Sequence, residues 1–183
     1  MEASNYFTCI AYDTVDFLIQ SKYVVFGIYL DVKNDVKSIV FNNETLPHIH
    51  IGALLEKEFL CSSRENCNVV LVMRIQDFSA GVRKLIESYT KTSVPLSGNI
   101  ALSVNSAISS KNIDISSLRL IPKSIRAAQD ECGVCAIGFA ADKKDKNIVR
   151  KRILISPDKL LKKFFSIGLM EKMEGKNESH SRG

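Results

Sequence analysis

Two histidines, His48 and His50, stand two apart in the stretch Leu46-Pro-His-Ile-His-Ile-Gly-Ala-Leu-Leu-Glu-Lys-Glu-Phe59. On an extended strand that spacing puts both imidazoles on one face, where they offer two nitrogens to a metal. No Asp, Glu or Cys nearby in sequence completes a ligand set, and the third histidine, His180, falls in the polar C-terminal tail. The pair therefore reads as an exposed polar strand face, with no metal expected. Cys132-Gly-Val-Cys135 is a single C-x-x-C, and the other close pair, Cys61 and Cys67, has the wrong spacing for a zinc ribbon. A redox dithiol would open a helix, whereas this one opens the β-like run Val134-Cys-Ala-Ile-Gly-Phe139, so small buried strand residues with reduced thiols are expected. Neither G-x-S-x-G nor H-E-x-x-H occurs, and the nine glycines are scattered with no phosphate-binding loop. Neither an enzyme nor a cofactor is expected.

The elements that would carry these residues are mostly short strands. Tyr6 to Tyr12 alternates, Asp13-Thr14 breaks it, and Val15 to Ile19 and Tyr23 to Val32 follow, with Ser21-Lys22 read as a tight connection between them. Asn34-Asp35 and Asn42-Asn43 mark turns on either side of Ser38 to Phe41. Around the histidines, Ile49 and Ile51 alternate with His48 and His50, and after Gly52 the period becomes helical, with Leu54, Leu55 and Phe59 on one side. Val69 to Met73 reads as a fully apolar, central strand.

Phe78, Val82, Leu85, Ile86 and Tyr89 then form one helical stripe, ended by Pro95 and Gly98. Ile100 to Ile108, Ile113 to Ile121, and a hairpin of Val134 to Ala140 with Ile148 to Ile155 make a second β series. Ser156-Pro157 supplies an N-cap and a first-turn proline for a terminal helix striped by Leu160, Leu161, Phe164 and Phe165. Residues 174–183 are expected to be a disordered tail. Short strands at this spacing point to a β-barrel or sandwich.

A chain of 183 residues, 45% hydrophobic, buries a real core. Met1 to Asn5 carries an acid and no base, and the longest apolar run, Tyr23 to Leu30, is far below the ~20 residues that span a bilayer, so a soluble cytoplasmic protein is expected. The net charge of +5 is uneven: residues 142–183 hold 12 Lys/Arg against 6 Asp/Glu. No aromatic residues interleave with those bases, so a solvated turn and helix face is expected there rather than a nucleic-acid surface.

The element order, two short-strand series each closing on a short helix with a Leu-Leu pair (Leu54-Leu55 and Leu160-Leu161), resembles the CheW-like coupling domain of bacterial chemosensory systems. In that family the first half closes on a pattern like R-G-x-x-φ-P-φ-φ-D-L, where φ is apolar, and Leu46-Pro-His-Ile-His-Ile fits its second part. The second half runs through an apolar strand, V-D-x-V, a proline after an isoleucine-bearing turn, a hairpin and D-P-x-x-L-L. Val69 to Met73, Ser103 to Ile108, Leu120-Ile-Pro122, Val134 to Ala140 and Ile153 to Leu161 fill those places in order, so the match spans about residues 6–165. By spacing from Pro47, the family's Arg-Gly falls on Asn42-Asn43, its first Asp on His50, and the Asp of V-D-x-V on Asn105.

The resemblance implies a mainly β fold of two small SH3-like five-stranded β-barrels packed together, with short helices, an inserted helix near 78–90 and a C-terminal helix. It implies one domain over 1–173 made of two β-subdomains, about 6–67 and 68–165, with N- and C-terminal segments able to cross between them. The implied function is a non-catalytic adaptor coupling chemoreceptor cytoplasmic tips to a histidine kinase regulatory domain. Its partner-binding candidates are Phe41, Asn42, Asn43, Leu46, Pro47, His48 and His50. Three alternatives stand beside it: a small-barrel nucleic-acid-binding protein using the basic C-terminal third, a metal or redox module using Cys132, Cys135 and the His48–His50 pair, and a CheW-like interaction module outside chemotaxis.

Overall fold

The computed structural model describes residues 6–33, 35–62, 68–91, 98–121, 133–141 and 148–167. The expected turn at 142–147, the tail at 174–183, His180, Cys132 and Cys67 lie outside them.

The protein is mainly β, with eleven strands in two sheets among the described residues. The strands are β1 (Tyr6–Ala11), β2 (Val15–Gln20), β3 (Val24–Tyr29), β4 (Ser38–Phe41), β5 (Glu44–His50) and β6 (Val69–Arg74), then β7 (Asn99–Val104), β8 (Ala107–Asn112), β9 (Leu118–Leu120), β10 (Val134–Ala141) and β11 (Val149–Ile155). Three α-helices accompany them: α1 (Gly52–Phe59), α2 (Ala80–Thr90) and α3 (157–167). None of the helices among the described residues is long and apolar enough to cross a membrane.

One sheet has the order β8-β1-β2-β11-β10-β9 and the other β3-β6-β7-β5-β4. Neither is confined to residues 6–67 or 68–165: the first takes its strands from both ends of the chain and the second from the middle. Pairing is antiparallel except between β2 and β11 and between β5 and β7. The segment Ser21–Tyr23, read from sequence as a link between neighbouring strands, is a 3-10 turn that carries the chain from one sheet to the other. β2 pairs with β1 and β11, and β3 pairs with β6. The return crossing is Asn105-Ser106, which divides the run from Ile100 to Ile108 between β7 and β8.

Both sheets curl. Laid flat, six strands would hold β8 and β9 about 24 Å apart. Only five residues join them, a link of at most about 20 Å fully extended, and three of those are wound into a 3-10 turn. In the other sheet, Phe26 of β3 and Phe41 of β4 bring the two outer strands together, with ring centroids 5.2 Å apart. Three apolar clusters follow from that curvature. Phe7, Cys9, Leu18, Ile113 and Leu118 fill the inside of the first sheet, and Val32, Ile39, Leu46, Val70 and Val72 the inside of the second. The largest cluster, including Phe17, Ile49, Leu55, Leu71 and Leu102, lies between them.

The helices seal that central cluster. Leu54 and Leu55 of α1 are buried in it, and Phe59 packs edge-on to Phe17 at 4.8 Å. The predicted stripe of α2 docks on the chain's own core: Phe78, Val82 and Ile86 are buried, and Tyr89 meets Phe164 and Phe165 of α3 edge-to-face. Ser79 caps α2 through Val82, and Asp158 in the first turn of α3 accepts from the Ser79 amide at 2.6 Å and its hydroxyl at 3.2 Å. Each helix start thus holds the other in place.

Candidate interaction surface

β5 is an inner strand, flanked by β4 and β7, and this decides what its histidines do. His48 and His50 do share a face, as their spacing requires, but the face is covered. His48 is fully buried and His50 mostly so, which corrects the expected exposed polar strand face. The residue that joins them is Ser103 on the parallel neighbour β7, itself buried.

The proton arrangement follows from what each atom faces. His48 Nδ1 meets the Val36 carbonyl, which only accepts, so Nδ1 carries the proton and donates. His48 Nε2 is then a lone pair and accepts from Ser103 Oγ at 2.7 Å. Ser103 Oγ in turn accepts from His50 Nδ1 at 3.0 Å. A one-way chain results, ending at His50 Nε2, which is buried and without a partner among the described residues. Gly52 makes room for it at the start of α1, because a Cβ there would lie 2.9 Å from His50 Cε1.

Burial holds the His48 pKa below the ordinary imidazole value against the opposing Val36 carbonyl, and burial together with the charge of His48 does the same for His50. Both rings are neutral at physiological pH. Both nitrogens of His48 are engaged, leaving none for a metal, and among the described residues no group of three or more His, Cys, Asp or Glu is placed to hold one. Ser103 beside an imidazole has the parts of a nucleophile, but at 2% exposure it meets no substrate. The cluster locks β5 to β7 and to the segment before β4.

The other candidates divide between surface and core. Asn42 and Asn43 are exposed and form the β4–β5 turn with φ of 50° and 63°, left-handed values that Asn tolerates better than most residues. Phe41 is half-buried beside Phe26, and Pro47 is partly covered opposite Ser38. Leu46, at 2% exposure, belongs to the inner cluster of its sheet, and like His48 it has no surface to offer a partner. Around the Asn42-Asn43 turn, the outer strands β3 and β4 carry exposed Val25, Phe26, Tyr29 and Val40. Scattered apolar residues are ordinary on a surface, whereas Val25, Tyr29 and Val40 stand exposed on two outer strands that the Phe26–Phe41 contact brings together, an arrangement suited to association.

One constellation was missed in the sequence. Asp16, the lone acid in the apolar strand β2, is buried and hydrogen-bonded by Arg150 Nε at 3.0 Å and Lys111 Nζ at 2.9 Å. Arg150 also donates to the carbonyls of Tyr12, Asp13 and Val15. Burial raises the Asp16 pKa, but the hydrogen bonds from Arg150 and Lys111 outweigh it and hold the carboxyl below its usual range. An acid in the run Val-Asp-Phe-Leu-Ile was the available signal; its partner lies 134 positions away. Cys135 is half-buried on β10, with its Sγ near the Gly133 carbonyl.

Two curled β-sheets that exchange strands at Ser21–Tyr23 and Asn105-Ser106, with a shared core sealed by short helices, define the fold as CheW-like. Among solved structures the chain is similar to the crystal structure of the scaffolding protein TtCheW from Thermoanaerobacter tengcongensis, with a TM-score of 0.51 and 13% identity over 87% of this chain and 89% of that one. No protein-family model matches the chain, and no curated protein matches it by sequence.

Proposed function

We propose that this protein is a non-catalytic adaptor, coupling chemoreceptor cytoplasmic tips to a histidine kinase regulatory domain. The observation that carries the reading is the fold likeness to a scaffolding protein over nearly the whole length of both chains, 87% and 89%. The exposed apolar patch on β3 and β4, reached from the Asn42-Asn43 turn, is the surface we assign to partner binding, with Phe41, Asn42, Asn43 and Pro47 at its edge. Leu46, His48 and His50 act from beneath, by fixing the register of β5.

The position where the resembling family carries Arg-Gly is here a turn of two asparagines with left-handed backbone. An asparagine lacks the rigid bidentate fork of an arginine, so receptor contact is weaker or directed at a divergent receptor, while kinase contacts made by barrel packing survive. Of the basic residues in the C-terminal third, Arg150 is buried against Asp16 and so is not offered to a nucleic acid.

Calorimetric titration of the purified protein with a kinase regulatory domain, and separately with a receptor signalling tip, tests the reading. The kinase domain is expected to bind at about tens of micromolar or tighter. Asn43→Gly relieves the left-handed position and leaves kinase binding unchanged, whereas Asn42→Arg strengthens the receptor tip. Absence of binding to both partners at that concentration leaves only the fold.

A further inference from the structure

Each sheet has two outer strands, β8 and β9 in one and β3 and β4 in the other. An outer strand presents a row of unpaired backbone groups, and natural sequences blunt it with charge or brevity. Three of the four are blunted in that way. β4 is four residues long, β9 is three with Arg119 in the middle, and β8 ends in Ser109-Ser110-Lys111-Asn112. β3 is the exception. It lies within Tyr23 to Leu30, a run without a charge or a proline, and its protective device is a bulge at Val25, near its start. We propose that β3 is a self-pairing edge, on which two copies of this chain join antiparallel about Gly27 into a transient dimer.

Backbone geometry leaves that edge open. The Leu30 amide donates to the Asn68 carbonyl, just before β6, at 3.2 Å. Bonded and outward-facing residues alternate along an antiparallel strand, so Phe26 and Ile28 turn to β6 as Leu30 does, and the N–H and C=O of Gly27 and Tyr29 turn away from it. Among the described residues no backbone hydrogen bond joins β3 to β4, which meet through the Phe26 and Phe41 rings. Gly27 is exposed, and in a residue without a side chain that exposure belongs to the backbone. A Cβ there would collide with Ile108 of β8, so Ile108 covers one face of the strand while the edge stays free.

The strand also complements itself. A two-fold axis at Gly27 sets Val24 opposite Leu30 of the other copy, Val25 opposite Tyr29 and Phe26 opposite Ile28. Every pair is apolar, and Val25 and Tyr29, 43% and 64% exposed, each gain an aromatic or β-branched partner. A contact made by one strand falls below the roughly 1,200 Å² at which stable interfaces begin, so the dimer is weak, with a Kd of about 0.1 mM. It takes the surface that the adaptor reading assigns to partners, and on that reading self-pairing and partner binding exclude each other.

The test uses the full chain alone. Sedimentation equilibrium between about 10 μM and about 1 mM should show monomer passing to dimer and nothing larger, because a closed two-fold contact uses up both edges. Amide hydrogen exchange over the same range should slow at Gly27 and Tyr29, whereas Phe26 and Ile28, already bonded to β6, should change little. Tyr29→Lys puts a charge on the edge and should weaken the dimer at least about tenfold. Phe139→Lys, a control at a residue 66% exposed on the other sheet, should leave it unchanged. The wild-type exchange pattern keeps the test decisive if Tyr29→Lys folds poorly. A monomer throughout the range, oligomers beyond the dimer, slowing that spares Gly27 and Tyr29, or equal weakening by the two substitutions would each overturn the proposal. No kinase or receptor is present, so failure here leaves the adaptor reading intact, and a dimer in a protein that binds neither partner would leave this inference intact.

Discussion

The Val36 carbonyl fixes the proton on His48, and through Ser103 it fixes the proton on His50 as well. That direction has a measurable consequence. Burial lowers both folded-state pKa values below the ordinary imidazole value of about 6.5, while the unfolded chain keeps that value. The unfolded state therefore binds more protons around and below pH 6.5. The stabilisation is complete above that pH, falls as the pH is lowered through it, and levels off only below the folded-state values. Urea unfolding should show a lower midpoint at about pH 5.5 than at pH 7.5, and a His48→Gln/His50→Gln variant should show a flatter dependence. An equal slope in both proteins would assign the pH dependence to other groups. At neutral pH, Ser103→Ala strips both rings of a partner and should cost about 2 kcal/mol, and a loss below about 0.5 kcal/mol would show that the chain is not coupled as described. The sequence revealed that the two histidines share a face, because alternation alone sets that. It did not reveal that the face is covered, because the covering groups, Val36 and Ser103, belong to segments whose pairing with β5 is set by tertiary structure.

Arg150 works at the scale of elements, tying β11 to β2 and to the turn that precedes it. Arg150→Met leaves Asp16 as a buried charge with only Lys111, and should cost about 3–5 kcal/mol in chemical unfolding. The double change Asp16→Leu/Arg150→Met removes the stranded charge and should recover much of that loss. If the double variant is no better than the single, the damage comes from lost carbonyl contacts rather than from the charge. The helix α2 makes a second case. Its stripe was legible from the spacing of Val82, Leu85, Ile86 and Tyr89, and its partner surface was not, since α3 lies some 70 residues further on. Ile86→Ala should cost about 2–4 kcal/mol, more than the roughly 1 kcal/mol expected for loss of the Ser79 cap in Ser79→Ala. The reverse order would mean that the helix is held by its end rather than by its face.

At the scale of the whole molecule, hairpin neighbours such as β1 with β2, β4 with β5 and β10 with β11 were within reach of turn signals and alternation. The parallel pairs β2 with β11 and β5 with β7 were not, because nothing local records which distant strand lies alongside. That is why the two crossings looked like an ordinary turn and a continuous strand. Their result is a chain whose ends share one sheet and whose middle makes the other, two bodies held by one core and free to present different outer surfaces. The adaptor role proposed above would use one such surface for each partner. The direct measurement is a pull-down of a kinase regulatory domain by immobilised receptor signalling tips, with and without this protein. The kinase domain should be retained only when the protein is present, and retention should fall when Tyr29→Ser and Val40→Ser break the exposed patch. Retention that is unchanged by adding the protein, with each partner present at about 100 micromolar, would contradict the proposed adaptor function.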